Sequence, residues 1–185
     1  DKEVVEAYFP MKKTRINSSY EINALEEKWQ ETVENIYERL SRGNDMAFIT
    51  LGDPTIYSTF FYLFDRLINI NPELKIEIIP GVSSINASAS IARMSLGLAD
   101  DKIAIIPATY AIDKLREIIS GFDTIILMKV HRSFSEIMEL IKDMNLLEKA
   151  VYIKRAGMDS EEIFKDITRV KDNDLDYFSI LIIRK

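Results

Sequence analysis

Short apolar runs alternate with amphipathic stretches along this 185-residue chain, and the alternation leaves few architectures open. Met46-Ala47-Phe48-Ile49-Thr50-Leu51 is almost wholly apolar and stops at Gly52-Asp53-Pro54. Such a run reads as a strand buried on both faces, as in a parallel sheet. A helical stretch follows from about Ile56 to Asn69 and is halted at Asn71-Pro72. Lys75 to Ile79 is the next predicted strand, ending at Pro80-Gly81. Strand, helix and strand in that order make a crossover unit, which is right-handed almost without exception. Ahead of it, Ile22, Leu25, Trp29, Val33, Ile36 and Leu40 recur in steps of three and four, one face of a long amphipathic helix. Ser18 or Ser19 can cap its start, and Gly43 stands where a helix would end. The chain opens at Asp1, almost inside a strand of Val4, Val5, Ala7, Tyr8 and Phe9 halted by Pro10. So abrupt a start predicts a further N-terminal segment.

The pattern changes after Gly81. Ser83 to Arg93 is rich in Ser and Ala, suiting a helix that packs closely. A strand (102–106), a helix (111–119, ending at Gly121), a strand (124–128) and a helix (134–144) follow, the last with Ser133 and Glu136 in capping-box spacing. Three more strand-like runs, 150–154, 163–168 and 178–183, complete the chain. The last two lack a helix between them, which predicts an antiparallel or mixed sheet. The expectation is an α/β protein of two domains, 1–80 with a mostly parallel sheet and 81–185 with a mixed one.

Composition narrows the function classes. Cysteine is absent and His131 is the single histidine, so disulfides, thiolate zinc sites, cysteine nucleophiles and Ser-His-Asp triads all drop out. A net charge of -6 argues against a general nucleic-acid binder. No apolar run approaches the roughly 20 residues of a membrane span, and a signal peptide is not expected from the opening residues. A chain without cysteine sits easily in a reducing cytoplasm.

Two turns stand out chemically. Leu51-Gly52-Asp53-Pro54-Thr55-Ile56-Tyr57-Ser58-Thr59 lies at the carboxyl end of a predicted strand, where open α/β sheets bind ligands. Gly52 permits close approach of a ligand to the backbone, and Asp53 offers a carboxylate. The same triplet is equally an N-cap followed by a first-turn proline, a mere helix start. Pro80-Gly81-Val82-Ser83-Ser84 repeats the situation with two hydroxyls, and it too reads as a capped helix start. Lys129, His131 and Arg132 follow a strand, and Lys12, Lys13 and Arg15 form a small basic cluster that could attract carboxylates. Nothing matches a phosphate-binding loop or a cluster of metal ligands.

Taken together, the Gly52-Asp53-Pro54 run and Pro80-Gly81-Val82-Ser83-Ser84 resemble the tetrapyrrole (precorrin) methyltransferase family. Thr55-Ile56-Tyr57-Ser58-Thr59, Phe9-Pro10-Met11 and Ile106-Pro107-Ala108-Thr109-Tyr110 look most like its C20-methyltransferases of cobalamin biosynthesis. Arg155-Ala156-Gly157-Met158 and the closing Tyr177 to Ile182 extend the resemblance over essentially the whole chain. It implies two α/β domains with S-adenosylmethionine in the cleft between them, usually in a homodimer. It would set Leu51, Gly52, Asp53, Ile56, Ser83, Ser84, Met128 and Ala156 or Gly157 against that cofactor. For a macrocycle carrying many carboxylates, Lys12, Lys13, Arg15, Arg93 and Lys129 become candidate contacts, with Tyr57 the candidate to help remove a proton. The family's opening strand and its glycine- and proline-rich loop have no counterpart here. Three other readings stay open: a sister activity on the scaffold such as another precorrin methylation or diphthine synthesis, a module that holds a tetrapyrrole without turnover, and an unrelated nucleotide-binding α/β protein.

Overall fold

A computed structural model describes residues 2–7 and 19–185, with side chains in the first helix from Glu26 onward. The Tyr8 to Met11 segment and the cluster of Lys12, Lys13 and Arg15 lie outside the described residues. The chain forms two compact units, Asp1–Gly81 and Val82–Lys185.

In the first unit, helix α1 (Ser19–Ser41) carries the periodic apolar face, and α2 (Phe60–Ile70) packs on it. Val33, Leu63 and Leu67 are buried between them, flanked by Trp29, Ile36, Tyr37 and Leu74. Burying side chains of this size contributes on the order of 1.5–3 kcal/mol each. Trp29 also meets Tyr62 at 5.5 Å between ring centroids, and Arg66 bridges back to Glu26 at 2.6 Å.

The run 46–51 departs from expectation. It has no ladder partner among the described residues, nor does 75–79. With no ladder assigned to either run among the described residues, both are extended segments rather than strands. Two-sided burial is correspondingly lacking: Ile49 is 90% and Leu51 78% exposed, although Phe48 packs against Phe60 at 5.4 Å. The segment of Val4 and Val5 is likewise exposed, and no ladder is assigned to it among the described residues.

The second unit is built on one five-stranded sheet in the order β1-β2-β5-β3-β4. Its strands are β1 (Ile103–Pro107), β2 (Thr124–Met128), β3 (Ala150–Lys154), β4 (Glu162–Phe164) and β5 (Ser179–Arg184). β1 and β2 are parallel, joined through α4 (Ile112–Gly121). β5 lies between β2 and β3, antiparallel to both, and β4 is the antiparallel edge. The sheet is therefore mixed. One face carries Ile125, Leu127, Tyr152, Leu181 and Ile183, packed against Leu115 and Ile119 of α4 and against Phe134, Ile137 and Ile141 of α5 (Phe134–Asp143). The alternation of strand side chains sends Ile126, Ile153 and Ile182, equally buried, to the other face. There α3 (Ser84–Ala92) lies against β5 and β3, and its buried Ser88, Ala89 and Ala92 allow the close approach.

Three local expectations need correction. The helix expected from Ile56 begins only at Phe60, because Tyr57 takes a left-handed backbone (φ 52°) and the Ser58 hydroxyl accepts the Phe60 N–H at 3.1 Å. Ser133 forms no capping box: its N–H donates to the Val130 carbonyl at 3.0 Å, so it continues a 3-10 turn instead of standing extended as an N-cap must. The run 163–168 is a strand only as far as Phe164, since the Asp166 carboxylate takes the Thr168 N–H and turns the chain.

Candidate functional site

The first unit offers the turn that ends 46–51. Asp53 does not cap a helix. Its Oδ1 accepts the Thr55 backbone N–H at 2.8 Å and a short bond from the Thr55 hydroxyl, while Oδ2 accepts the Gly81 N–H at 3.1 Å. The Thr55 hydroxyl first and then its amide hold the Asp53 carboxyl below the ordinary aspartate range, desolvation opposes them, and the Gly81 amide adds the smallest share of the lowering. One carboxylate thus ties together two turns 28 residues apart.

The tie requires glycine at position 81. A Cβ there would stand 2.3 Å from the Gly52 carbonyl oxygen, a distance no side chain can occupy. Gly52 itself has φ 75°, and Tyr57, five residues on, has its side chain 52% exposed. The turn combines a backbone near-contact, two left-handed residues and exposed apolar side chains at Leu51 and Tyr57. Residues held in sparsely populated backbone regions cluster at ligand-binding positions. Ile56 is half-buried in the same turn.

In the second unit, the pairing register places the carboxyl ends of β1, β2 and β3 on one edge of the sheet. Pro107 pairs with Met128, Met128 with Ile180, and Lys154 with Ser179 at the start of β5. Open α/β sheets take ligands at that edge. Met128 is half-buried there, and its carbonyl accepts the Ala108 N–H at 2.7 Å. Lys129 follows in a left-handed conformation (φ 59°). His131 turns its ring toward Tyr177, 5.6 Å between centroids, and Tyr177 packs on Phe178 at 5.3 Å. After β3 come Arg155 (φ 53°), Ala156 and Gly157 (φ 73°). A Cβ on Gly157 would meet nothing within 4 Å, so the left-handed backbone, not crowding, calls for glycine there.

Ser83 is the N-cap of α3. Its hydroxyl accepts the Asn86 N–H at 3.3 Å and it is buried, so the structural role is filled. Ser84 is exposed in the first turn of that helix. Arg93 is the left-handed C-cap of the same helix, exposed, at its opposite end from Ser83 and Ser84. The arrangement thus brings Leu51, Gly52, Asp53, Ile56 and Tyr57 together in one turn, and Met128, Lys129, Ala156 and Gly157 along one sheet edge.

Reading the sequence had not given Arg155 and Asp176 a role. Arg155 donates from Nη1 to the Asp176 carboxylate at 3.3 Å and from Nε to the Asp159 carbonyl at 2.9 Å. The partners are 21 residues apart, and no local signal connects them. Among the described residues, no group of three or more acidic or histidine side chains could hold a metal ion, and no helix is long and apolar enough to cross a membrane.

Comparison with known proteins agrees with this geometry. A family model described as Tetrapyrrole (Corrin/Porphyrin) Methylases matches residues 1–170. The chain is 32% identical over 158 residues to the cobalt-precorrin-2 C(20)-methyltransferase of Salmonella typhimurium, an alignment covering 85% of this chain and 65% of that protein. It is 32% identical over 186 residues to a protein of Methanocaldococcus jannaschii named probable cobalt-precorrin-2 C(20)-methyltransferase, covering 100% of this chain and 74% of that one. The chain therefore spans slightly less than two thirds of the Salmonella protein. Its fold is similar to that of a cobalt precorrin-4 methyltransferase, with a TM-score of 0.67 at 19% identity over 84% of this chain and 70% of that one. It is also similar to uroporphyrin-III C-methyltransferase from Thermus thermophilus complexed with S-adenosyl homocysteine, with a TM-score of 0.60 at 16% identity over 85% and 74%. Two glycine-bearing turns tied by one aspartate, a mixed sheet with left-handed residues at its carboxyl edge, and a family match over nearly the whole length lead to one conclusion: the chain belongs to the tetrapyrrole methylase family.

Proposed function

We propose that the protein is an S-adenosylmethionine-dependent C-methyltransferase that methylates C20 of precorrin-2 or cobalt-factor II in cobalamin biosynthesis. The observation that carries the reading is the Gly52-Asp53 turn tied to Gly81, in a chain 32% identical to two proteins named for that reaction. Residues 1–80 and 81–185 are its two domains, in a cytoplasmic homodimer.

The residues suit such a cofactor. The Asp53 carboxylate is held ionised and close to exposed apolar surface at Leu51, a pairing that fits a ligand with a cationic or amino group beside a hydrophobic portion. Met128 supplies a polarizable side chain for a flat heterocycle, and the open space around Gly157 lets a ligand approach the backbone. Exposed Ser84, in the first turn of α3, completes the set, with Ser83 fixing the start of that helix as its N-cap and contributing to the cofactor site from there. The bound cofactor would supply an already activated methyl group. What remains for the protein is chiefly positioning, which alone can supply several kcal/mol of barrier reduction. Lys12, Lys13, Arg15, Arg93 and Lys129 receive the carboxylates of the macrocycle. Tyr57, exposed on its left-handed turn, passes the proton that C20 loses to water.

The test is anaerobic incubation of the protein with S-adenosylmethionine and either macrocycle, followed by mass spectrometry and NMR. One added methyl group, located at C20, is the expected product. A protein that binds S-adenosylmethionine yet leaves both macrocycles unmethylated would overturn the substrate assignment.

A further inference from the structure

The loop that follows β3 is held from outside itself. Ala156 and Gly157 lie between Arg155 and Asp159, both of which take part in one hydrogen-bonded bracket. The Arg155 Nε–H donates to the Asp159 carbonyl at 2.9 Å and closes the loop on itself. Its Nη1–H reaches the Asp176 carboxylate at 3.3 Å, and the other oxygen of that carboxylate accepts the Phe178 N–H at 2.7 Å. The Arg155 backbone N–H donates to the Phe178 carbonyl at 2.7 Å, one step beyond the last β3–β5 pair. On the far side, the Gly157 N–H is taken by the Glu161 carboxylate at 2.7 Å. Arg155 meanwhile keeps a left-handed backbone that no glycine relieves, a cost that persists only when the surroundings over-determine it.

The geometry points to Arg155 as a positioning residue. Through Asp176 it clamps the 155–159 loop to the start of β5, fixing the backbone that Ala156 and Gly157 present to the cofactor. The inference rests on the proposed cofactor role of those two residues and adds the device that sets their position. A guanidinium suits the task because two separate donor atoms of its planar fork, Nε and Nη1, serve the carbonyl and the carboxylate at once, whereas lysine has one donor atom and no fixed fork.

The experiment combines calorimetric titration of S-adenosylhomocysteine with hydrogen exchange of the unliganded protein, on wild type, Arg155→Ala, Arg155→Lys and Asp176→Asn. Arg155→Ala is expected to weaken binding about tenfold, in line with losing charge-assisted hydrogen bonds, and to speed exchange of the 156–161 amides. Arg155→Lys should fall between wild type and Arg155→Ala, and Asp176→Asn should reproduce part of the loss. In turnover assays the change should appear in KM for S-adenosylmethionine, with kcat nearly unchanged. Wild-type affinity in Arg155→Ala would overturn the positioning role. Unchanged exchange at 156–161 would overturn the clamp itself, even if a variant bound less well. If wild type failed to bind S-adenosylhomocysteine, the cofactor reading would fall, and with it this role for the clamp. The exchange data would still say whether the loop is clamped.

Discussion

The same three-residue device occurs once in each unit, and it does different work. Asp53-Pro54-Thr55 and Asp166-Ile167-Thr168 both fold the aspartate back on the threonine two residues later, through its amide and its hydroxyl. In both, the hydroxyl is the main reason that the carboxyl is held below its ordinary range. What surrounds them differs. The middle residue of the second turn, Ile167, is 1% exposed within the core of the sheet, and the turn ends β4 and leads the chain back into that core. The first turn has a half-buried proline in the middle, and its spare carboxylate oxygen reaches Gly81. A turn anchored by a buried side chain serves the fold. A turn anchored by a polar tie, among exposed apolar groups and left-handed residues, has its surface available for a ligand.

Substitutions at the middle positions should show the largest contrast. Ile167→Ala removes core packing and is expected to cost about 2–4 kcal/mol in denaturant unfolding, whereas Pro54→Ala should cost less than about 1 kcal/mol. Equal costs would erase the distinction between the turns. Gly81→Ala comes next. Its new Cβ must displace the Gly52 backbone, for a loss of about 1–3 kcal/mol, accompanied by weaker S-adenosylhomocysteine binding. Because Trp29 is the only tryptophan and lies in the first unit, its fluorescence reads that unit specifically. Gly81→Ala should shift the fluorescence transition, and an unshifted transition would mean that the turn tolerates a side chain.

The smallest expected effect is that of pH. A carboxyl whose folded pKa lies below its unfolded value of about 3.9 adds stability that is fully present above that value. The contribution fades as pH falls through the lower folded value. Asp53→Asn abolishes it while leaving Asp166 in place, so the two proteins should differ in Tm at pH 5 to 7, and the gap should begin to close only below about pH 4, as pH falls through the lowered folded value. A difference that persists unchanged into the acid range would point to a steric origin instead.

Much of the second unit was legible because its inner strands β2, β3 and β5 are largely buried on both faces and advertise it. Thr124–Met128 and Ala150–Lys154 occur with the expected bounds, and α4 and α5 fall within two residues of theirs. The first unit was less transparent. The 46–51 run has the composition of a central strand, yet composition cannot supply the neighbouring backbone that makes a strand. Tyr57 reads as a helix residue by local pattern and instead bends the turn, since its left-handed backbone depends on what Asp53 and Ser58 bind. At the candidate site, the glycines at 52 and 81 were visible as turn residues, whereas Gly157 entered only through the family resemblance. The Asp53–Gly81 and Arg155–Asp176 ties, across 28 and 21 residues, were not, because hydrogen bonds at that range follow only from the folded path of the chain.

The contrast between the two turns is tested most directly by titrating S-adenosylhomocysteine into wild type, Asp53→Ala and Asp166→Ala. The account predicts saturable binding by wild type and by Asp166→Ala with similar affinity, and binding at least about tenfold weaker for Asp53→Ala, as expected when a charged hydrogen-bonding group is removed. Asp53→Ala that binds as wild type does, while its unfolding shows an intact first unit, would contradict it.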